Sequence, residues 1–339
     1  MSAPISFVSN EITPSWQELL SQCVEDPAQL LSLLHLDNAL LPAAKAASEL
    51  FPLRVPMPYL ARIERGNPQD PLLLQVLPLH SELITVSGYS ADPLGEQDAN
   101  PVPGLIHKYK GRVLLILTGA CAINCRYCFR RHFPYQENRL GPQQWQNIIE
   151  YIAADNSIRE VIFSGGDPLA TPDQRFFRLL DDLEQIPHLQ RLRIHSRLPI
   201  MIPQRINANF CQRLQQSRLQ TVMVIHANHA NELDEAVAEA LTALKNANVM
   251  LLNQSVLLKG INDSVAALQA LCERVFALGV LPYYLFILDR VSGAAHFAIS
   301  DDQARRLFSQ LQQVLPGYLV PRLAKEIAGQ PSKTLLAPL

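Results

Sequence analysis

No apolar run in this sequence approaches the roughly 20 residues that a bilayer-spanning helix needs. The N-terminus, Met1-Ser2-Ala3-Pro4-Ile5-Ser6, lacks the basic stretch and apolar core of a secretory signal. A cytoplasmic protein without a membrane partner is expected. Charge is also scarce. Asp, Glu, Lys and Arg make up 18% of the residues and balance to a net of -2, so there is no electrostatic footprint for nucleic acid or an anionic surface. A small or neutral partner fits better. No repeat or low-complexity tract breaks the chain. Cysteine is sparse at six residues, and in a reducing compartment a tight cysteine group points to metal or redox chemistry rather than a disulfide framework.

What is present is enough apolar material, 48% of 339 residues, for one large domain or two ordinary ones. Three of the six cysteines fall in the stretch Cys121-Ala-Ile-Asn-Cys125-Arg-Tyr-Cys128-Phe-Arg130-Arg131. An apolar run, Val113 to Leu117, precedes it and reads as a buried strand, so the thiols lie on the loop leaving that strand. Cys23, Cys211 and Cys272 are isolated in helical patterns and read as core fillers.

Residues 1–100 differ in texture from the rest. Short helical patterns (16–23, 27–34 and 41–50) give way to a proline-punctuated stretch from Phe51 to Pro103, which reads as an N-terminal cap. From Val113 onward, strand and helix patterns alternate, the signature of successive βα units and a parallel sheet. Six strands are expected at 113–117, 161–163, 192–194, 222–225, 250–252 and 283–287. Helices are expected near 143–154, 174–185, 206–216, 232–247, 264–278 and 301–314. Each strand is followed by a polar cluster: the cysteine loop, Ser164-Gly165-Gly166-Asp167, His195-Ser196-Arg197, His226-Ala-Asn228-His229, Asn253-Gln254-Ser255 and Asp289-Arg290. In barrel-like α/β folds the C-terminal strand ends share one active site. Six units predict an incomplete (β/α)6 barrel open on one side.

The C-x3-C-x2-C spacing offers three thiolates and no fourth nearby. A [4Fe–4S] cluster usually takes four cysteines, so one iron would be left for another ligand. The alternative is a structural zinc site, but zinc wants four ligands in a closed site and only His132 is at hand to join the three cysteines. With Tyr127 before the last cysteine, the loop resembles the radical S-adenosylmethionine (SAM) superfamily. That resemblance implies that SAM chelates the open iron and that Ser164, Gly165, Gly166, Asp167, Arg197, His226 and Gln254 contact SAM. Taken singly, each of these is as readily a satisfied structural polar group or part of a plain strand-to-helix turn.

Further segments carry a narrower resemblance: Phe51-Pro-Leu-Arg54, Asp92-Pro-Leu94, Pro101-Val-Pro-Gly-Leu-Ile-His-Lys-Tyr109, Ser164-Gly-Gly-Asp-Pro-Leu169 and Leu252 to Asp263. From about residue 51 to its end the chain resembles lysine 2,3-aminomutases. The resemblance implies a radical SAM barrel over 101–317, between the cap at 1–100 and a C-terminal tail at 318–339. Read alone, Lys333 is a surface lysine near a chain end; in the family, the matching lysine carries pyridoxal 5′-phosphate (PLP) as a Schiff base. Lys108, Tyr109 and Arg112 match the phosphate-binding stretch. Arg130 matches the residue that takes the substrate α-carboxylate, where a guanidinium suits a bidentate pairing. Asp289 and Glu326 match the two acids that hold the ε-ammonium, with Glu326 standing where aspartate is usual. Arg131 reads as structural.

The implied reaction moves the amino group of free L-lysine from C2 to C3, started by a SAM-derived radical and carried through an imine of PLP. Clostridial-type members add a C-terminal zinc-binding cysteine segment and a cysteine after the Asn-Asp pair. Here the chain stops six residues past Lys333 and Ser264 follows Asn262-Asp263, so no zinc is expected and any homo-oligomer forms without that device. These features resemble the short bacterial branch that makes (R)-β-lysine for elongation factor P. The factor is then an indirect partner reached through a separate ligase, and a reductase or flavodoxin-type protein supplies the electron. Rival readings are an aminomutase for glutamate or another amino acid, where Asp289 and Glu326 argue against an anionic side chain, and a non-catalytic zinc or iron–sulfur protein. A nucleic-acid-modifying radical enzyme would show a basic or aromatic groove, which is missing.

Overall fold

The computed structural model describes residues 14–339; the stretch inspected above for a targeting signal lies outside them. A single nine-stranded sheet runs in strict chain order. Its strands are β1 (Leu105–Tyr109), β2 (Arg112–Thr118), β3 (Glu160–Gly165), β4 (Arg191–Ser196), β5 (Gln220–Ile225), β6 (Met250–Leu257), β7 (Leu281–Ile287), β8 (Arg322–Lys325) and β9 (Thr334–Leu335). From β2 to β8 every neighbour is parallel; β1 pairs antiparallel with β2, and β9 with β8. The sheet therefore curves as an unclosed barrel with β1 and β9 as its edges. All six expected strands form, in the expected order. Residues 318–339, anticipated as a tail, extend the sheet with β8 and β9.

Parallel strands need crossovers, and here those between β2 and β7 carry helices, among them Pro142–Ala154, Asp173–Glu184, Ala208–Gln215, Glu235–Asn246 and Val265–Ala277. The helix Asp301–Val314 leads towards β8. Start signals match the sequence: Asp234, Ser264 and Ser300 each accept a hydrogen bond from a first-turn backbone amide. The two faces of the strands differ. Along β6, Leu251, Asn253, Ser255 and Leu257 are buried outward, whereas Leu252, Gln254 and Val256 line an open interior. The barrel centre is thus a cavity of about 880 Å³ rather than a packed core. The outward faces make the core, in which Leu115, Phe163, Ile194 and Ile225 meet Phe176, Phe210 and Leu241 from the helices.

The N-terminal segment joins that same core through Trp16, Leu30, Leu53, Tyr59 and Leu73. Its helices Trp16–Ser21, Pro27–Leu33 and Leu41–Leu50 agree with the sequence reading. Cys272 is buried beside Leu285 and Phe308, and Cys211 packs against the main core. Cys23 sits just past its helix instead of within it, half-buried, with its thiol directed at the Ala122 carbonyl. Among the described residues, no helix is long and apolar enough to cross a membrane.

Candidate active site

The loop after β2 carries Cys121, Cys125 and Cys128 on the cavity wall, and the N-terminal segment clamps it there. Backbone bonds run from Asn124 N to Arg54 O (3.0 Å) and from Arg126 N to Gln75 O (2.9 Å); the Arg54 Nε donates to Cys121 O at 2.9 Å. Beneath the loop, the fully buried Glu82 accepts from Arg126 Nε at 2.8 Å, Arg126 Nη2 at 2.6 Å and Arg131 Nη2 at 2.9 Å. Arg131 is thereby structural. His132 is exposed, faces the Ser292 carbonyl, and is not among the cavity-lining residues that include the three cysteines.

The Ser164-Gly165-Gly166-Asp167 turn backs onto this loop. Gly166 N donates to Thr118 O and Asp167 N to Ala120 O, both at 2.8 Å. A Cβ on Gly165 would lie 2.5 Å from Thr118 O, and one on Gly166 2.5 Å from Ala120 O. The glycines are thus required by close backbone approach to the cysteine loop, a reason the family resemblance did not supply. Asp167 lines the cavity, and its carboxylate accepts from Leu169 N, Ser196 Oγ, Arg197 N and Leu198 N at 2.7–3.0 Å. It pins the end of β4.

Arg197 also lines the cavity. Its Nη1 donates to the Cys125 sulfur at 2.7 Å, while Nη2 donates to Gln75 Oε1 at 2.5 Å and to the buried Glu232 at 2.8 Å. Glu232 also accepts from the Asn228 and His229 backbone amides. A buried cation held by a buried anion therefore points at one of the three sulfurs. His226 and Gln254 line the cavity. His226 Nε2 lies 3.3 Å from His195 Nδ1, and burial pulls the His226 imidazole down to about 3, so it stays neutral.

From Arg130, beside the cysteine loop, to Lys333 near the C-terminus, charged groups brought from distant parts of the sequence form one chain. Arg130 pairs with Glu96 at 2.7 Å; Lys108 stands 3.7 Å from Glu96 and 3.3 Å from Glu326; Glu326 accepts from Lys333 Nζ at 2.6 Å. The two lysines hold the Glu326 carboxyl down at about 2 against the burial that opposes them. Lys333 Nζ lies 4.7 Å from the Phe286 ring centroid and 6.0 Å from those of Tyr109 and Tyr284. Lys108, matched to a phosphate contact, is instead flanked by two carboxylates. Arg112 stacks on Tyr109 at 4.7 Å and lines the cavity, as does Tyr109. Asp289 lines the same cavity, and burial, reinforced by Glu326, pushes its carboxyl up to about 7.

Sequence reasoning missed Glu96, Glu82, Gln75 and Glu232. Glu96 lies two residues past the Asp92-Pro-Leu94 segment already singled out, and that proximity is its only signal. The other three sit in single 3-10 turns too short to register a period, Glu232 at the very start of an expected helix.

An open parallel barrel with three thiols on the loop after its first parallel strand defines a radical SAM enzyme, and the sequence profile of the Radical SAM superfamily matches residues 115–271. The chain is also similar to proteins named L-lysine 2,3-aminomutase. Those of Haemophilus influenzae and Escherichia coli are 53% and 52% identical, over 95% and 96% of this chain and 96% of each relative. That of Buchnera aphidicola is 42% identical over 94% of both chains. The chain belongs to the lysine 2,3-aminomutase family of radical SAM isomerases.

The family implies a [4Fe–4S] cluster and SAM, and the residues fit them. Three thiols on one loop leave one iron of a cluster open, a guanidinium is aimed at one of the sulfurs, and the adjoining cavity is in the size range of small-molecule and cofactor sites. Burial pushes the Cys128 thiol up to about 11, so binding a cluster there would have to displace its proton.

Proposed function

We propose that this chain converts free L-α-lysine to (R)-β-lysine with PLP held on Lys333, and that the product reaches elongation factor P through a separate ligase. The observation that carries the reading is the placement of Lys333 Nζ, on a strand-like tail far from the cysteines in sequence, in the same cavity as all three of them. PLP fits this place: the lysine amine projects between the rings of Phe286, Tyr284 and Tyr109, an aromatic enclosure for a flat ring. Arg112, beside Tyr109, is the cation best placed for its phosphate.

When bound, the cluster with SAM supplies a carbon-centred radical that removes hydrogen from substrate C3, and PLP supplies the imine through which nitrogen moves from C2 to C3. The protein's own residues bind and orient. Arg130 meets the substrate α-carboxylate, a group that lysine inside a polypeptide lacks, which supports the free amino acid as substrate. Glu326 and Asp289 meet the ε-ammonium. Glu326 becomes available to it once Lys333 is engaged elsewhere, because Lys333 is its shortest partner. Cavity walls of Leu252, Val256 and Phe286 exclude water from the radical's path. The electron comes from a reductase or flavodoxin-type protein. Three relatives named L-lysine 2,3-aminomutase are covered over 94–96% of their own length, which supports the short branch linked to elongation factor P.

The test is anaerobic purification with PLP, borohydride reduction, and mass spectrometry of the digest. A pyridoxyl group on Lys333 that disappears in Lys333→Ala is expected. A modification at another lysine, or none, overturns the reading.

A further inference from the structure

The guanidinium proposed to meet the substrate α-carboxylate is already largely committed. Arg130 Nε donates to Glu96 Oε2 at 2.7 Å and Nη2 to Glu96 Oε1 at 2.8 Å; Nη1 donates to Ser164 Oγ at 2.9 Å and to Gly165 O at 3.3 Å. A guanidinium has five N–H groups. Four are taken by the protein, and one, on Nη2, is left. The two-pronged pairing expected from the residue type is therefore closed: a second carboxylate cannot take an edge that Glu96 holds. Ser164 offers what Arg130 lacks. Its hydroxyl accepts from Nη1, so its own hydrogen remains to donate, and it lines the cavity.

We propose that Glu96 is the positioning residue of the α-carboxylate subsite, holding Arg130 by its Nε/Nη2 edge so that the substrate meets the remaining Nη2–H together with the Ser164 hydroxyl. This rests on the reading that Arg130 faces the carboxylate. Glu96 is suited to the task by what else it touches. Both side chains of the pair are about 7% and 6% exposed, so their bonds are short of competing water. Glu96 also lies 3.7 Å from Lys108, which reaches Glu326, which holds Lys333. One carboxylate thus ties the end of the site that takes the substrate's carboxylate to the end that takes its ammonium. A plain structural ion pair would stabilise the fold and leave recognition alone. A positioning residue sets where Arg130 points and how far the two ends stand apart, so its loss must fall on carboxylate recognition.

The readout is discrimination: the ratio of kcat/KM for L-lysine to that for L-lysine amide, which keeps both amines and replaces the carboxylate by a neutral amide. A charge-assisted bond that is misaimed loses roughly 1.5–3 kcal/mol, or about tenfold to a hundredfold in that ratio. Glu96→Gln and Ser164→Ala should each lower the ratio at least tenfold, mainly through KM for lysine, with Glu96→Asp in between. Iron content and the borohydride-trapped Lys333 adduct should match wild type. If wild type handles lysine and its amide alike, Arg130 does not face the carboxylate and the underlying reading fails. If wild type discriminates and Glu96→Gln keeps the wild-type ratio, the underlying reading stands and the role of Glu96 is overturned. Should Glu96→Gln not fold or not load iron, the ratio is read on Glu96→Asp and Ser164→Ala, and an unchanged ratio in both overturns the proposal.

Discussion

Replacing Glu82 by glutamine should release the cysteine loop without altering the shape of its support. Glu82 is fully buried and accepts three charge-assisted hydrogen bonds, two from Arg126 and one from Arg131. The amide keeps the volume and one acceptor oxygen, but it removes the only carboxylate within ion-pair distance of either guanidinium among the described residues. Arg126 would retain only neutral acceptors, the carbonyls of Phe51, Pro52 and Ala47 and at most the one amide oxygen. Breaking a buried ion pair from one side costs about 3–5 kcal/mol, which is about two to nearly four powers of ten in a local opening equilibrium. Hydrogen–deuterium exchange reads this directly, because the loop amides of Asn124 and Arg126 are bonded to Arg54 and Gln75. Peptides over 121–131 should lose protection by that factor, up to the ceiling set by global unfolding, while the helix Glu235–Asn246 keeps its own. Reconstituted iron should fall in parallel. Wild-type protection over 121–131 in Glu82→Gln would refute the argument that this buried pair clamps the loop.

Asp289 gives a pH signature. Its carboxyl is raised to about 7 by burial and by Glu326, so it is neutral below that pH and offers no charge to an ammonium. KM for lysine should rise about tenfold for each unit of pH below 7, and Asp289→Asn should flatten that profile; an equally steep profile in the variant excludes Asp289. Arg197→Met removes the donor to the Cys125 sulfur and should make the cluster harder to reduce. Potentiometry followed by electron paramagnetic resonance should find a more negative midpoint, and an unshifted one means the contact does not tune the cluster. Gly166→Ala places a Cβ 2.5 Å from the Ala120 carbonyl, so that variant should lose reconstituted iron relative to wild type, and full iron loading would show that the turn can yield.

The sheet was legible wherever periodicity carried it. β2 to β7 each hold an apolar or alternating core that marked them, but polar residues hid the ends of β4 and β6, the latter running five residues past its expected end. β1 was missed because its outer half, His107-Lys108-Tyr109, is polar, and a polar stretch before a strand reads as a binding loop. β8 and β9 are four and two residues long, too short for any alternation to register. The site divided along the same line. Strand-end residues such as His226 and Asp289 were found because position in a barrel predicts a cavity, whereas Gln254, expected just past a strand ending at 252, lies within β6, which runs on to Leu257. Partners such as Glu96, Glu232 and Glu82 were not, because a buried acid in a loop or a single turn has the same sequence as an exposed one. Those unread acids decide what the visible arginines do: Arg197 turns to a sulfur, and Arg130 is held by its edge.

The central claim is that one cavity joins radical generation at the cysteine loop to amino-group transfer at Lys333. Chiral chromatography of the product formed from L-lysine by anaerobically reconstituted enzyme, supplied with SAM, PLP and a reductant, tests it most directly. The account predicts (R)-β-lysine, abolished in Lys333→Ala and in Cys125→Ala alike. Absence of β-lysine from fully loaded wild type, or its formation by Lys333→Ala at the wild-type rate, would contradict it.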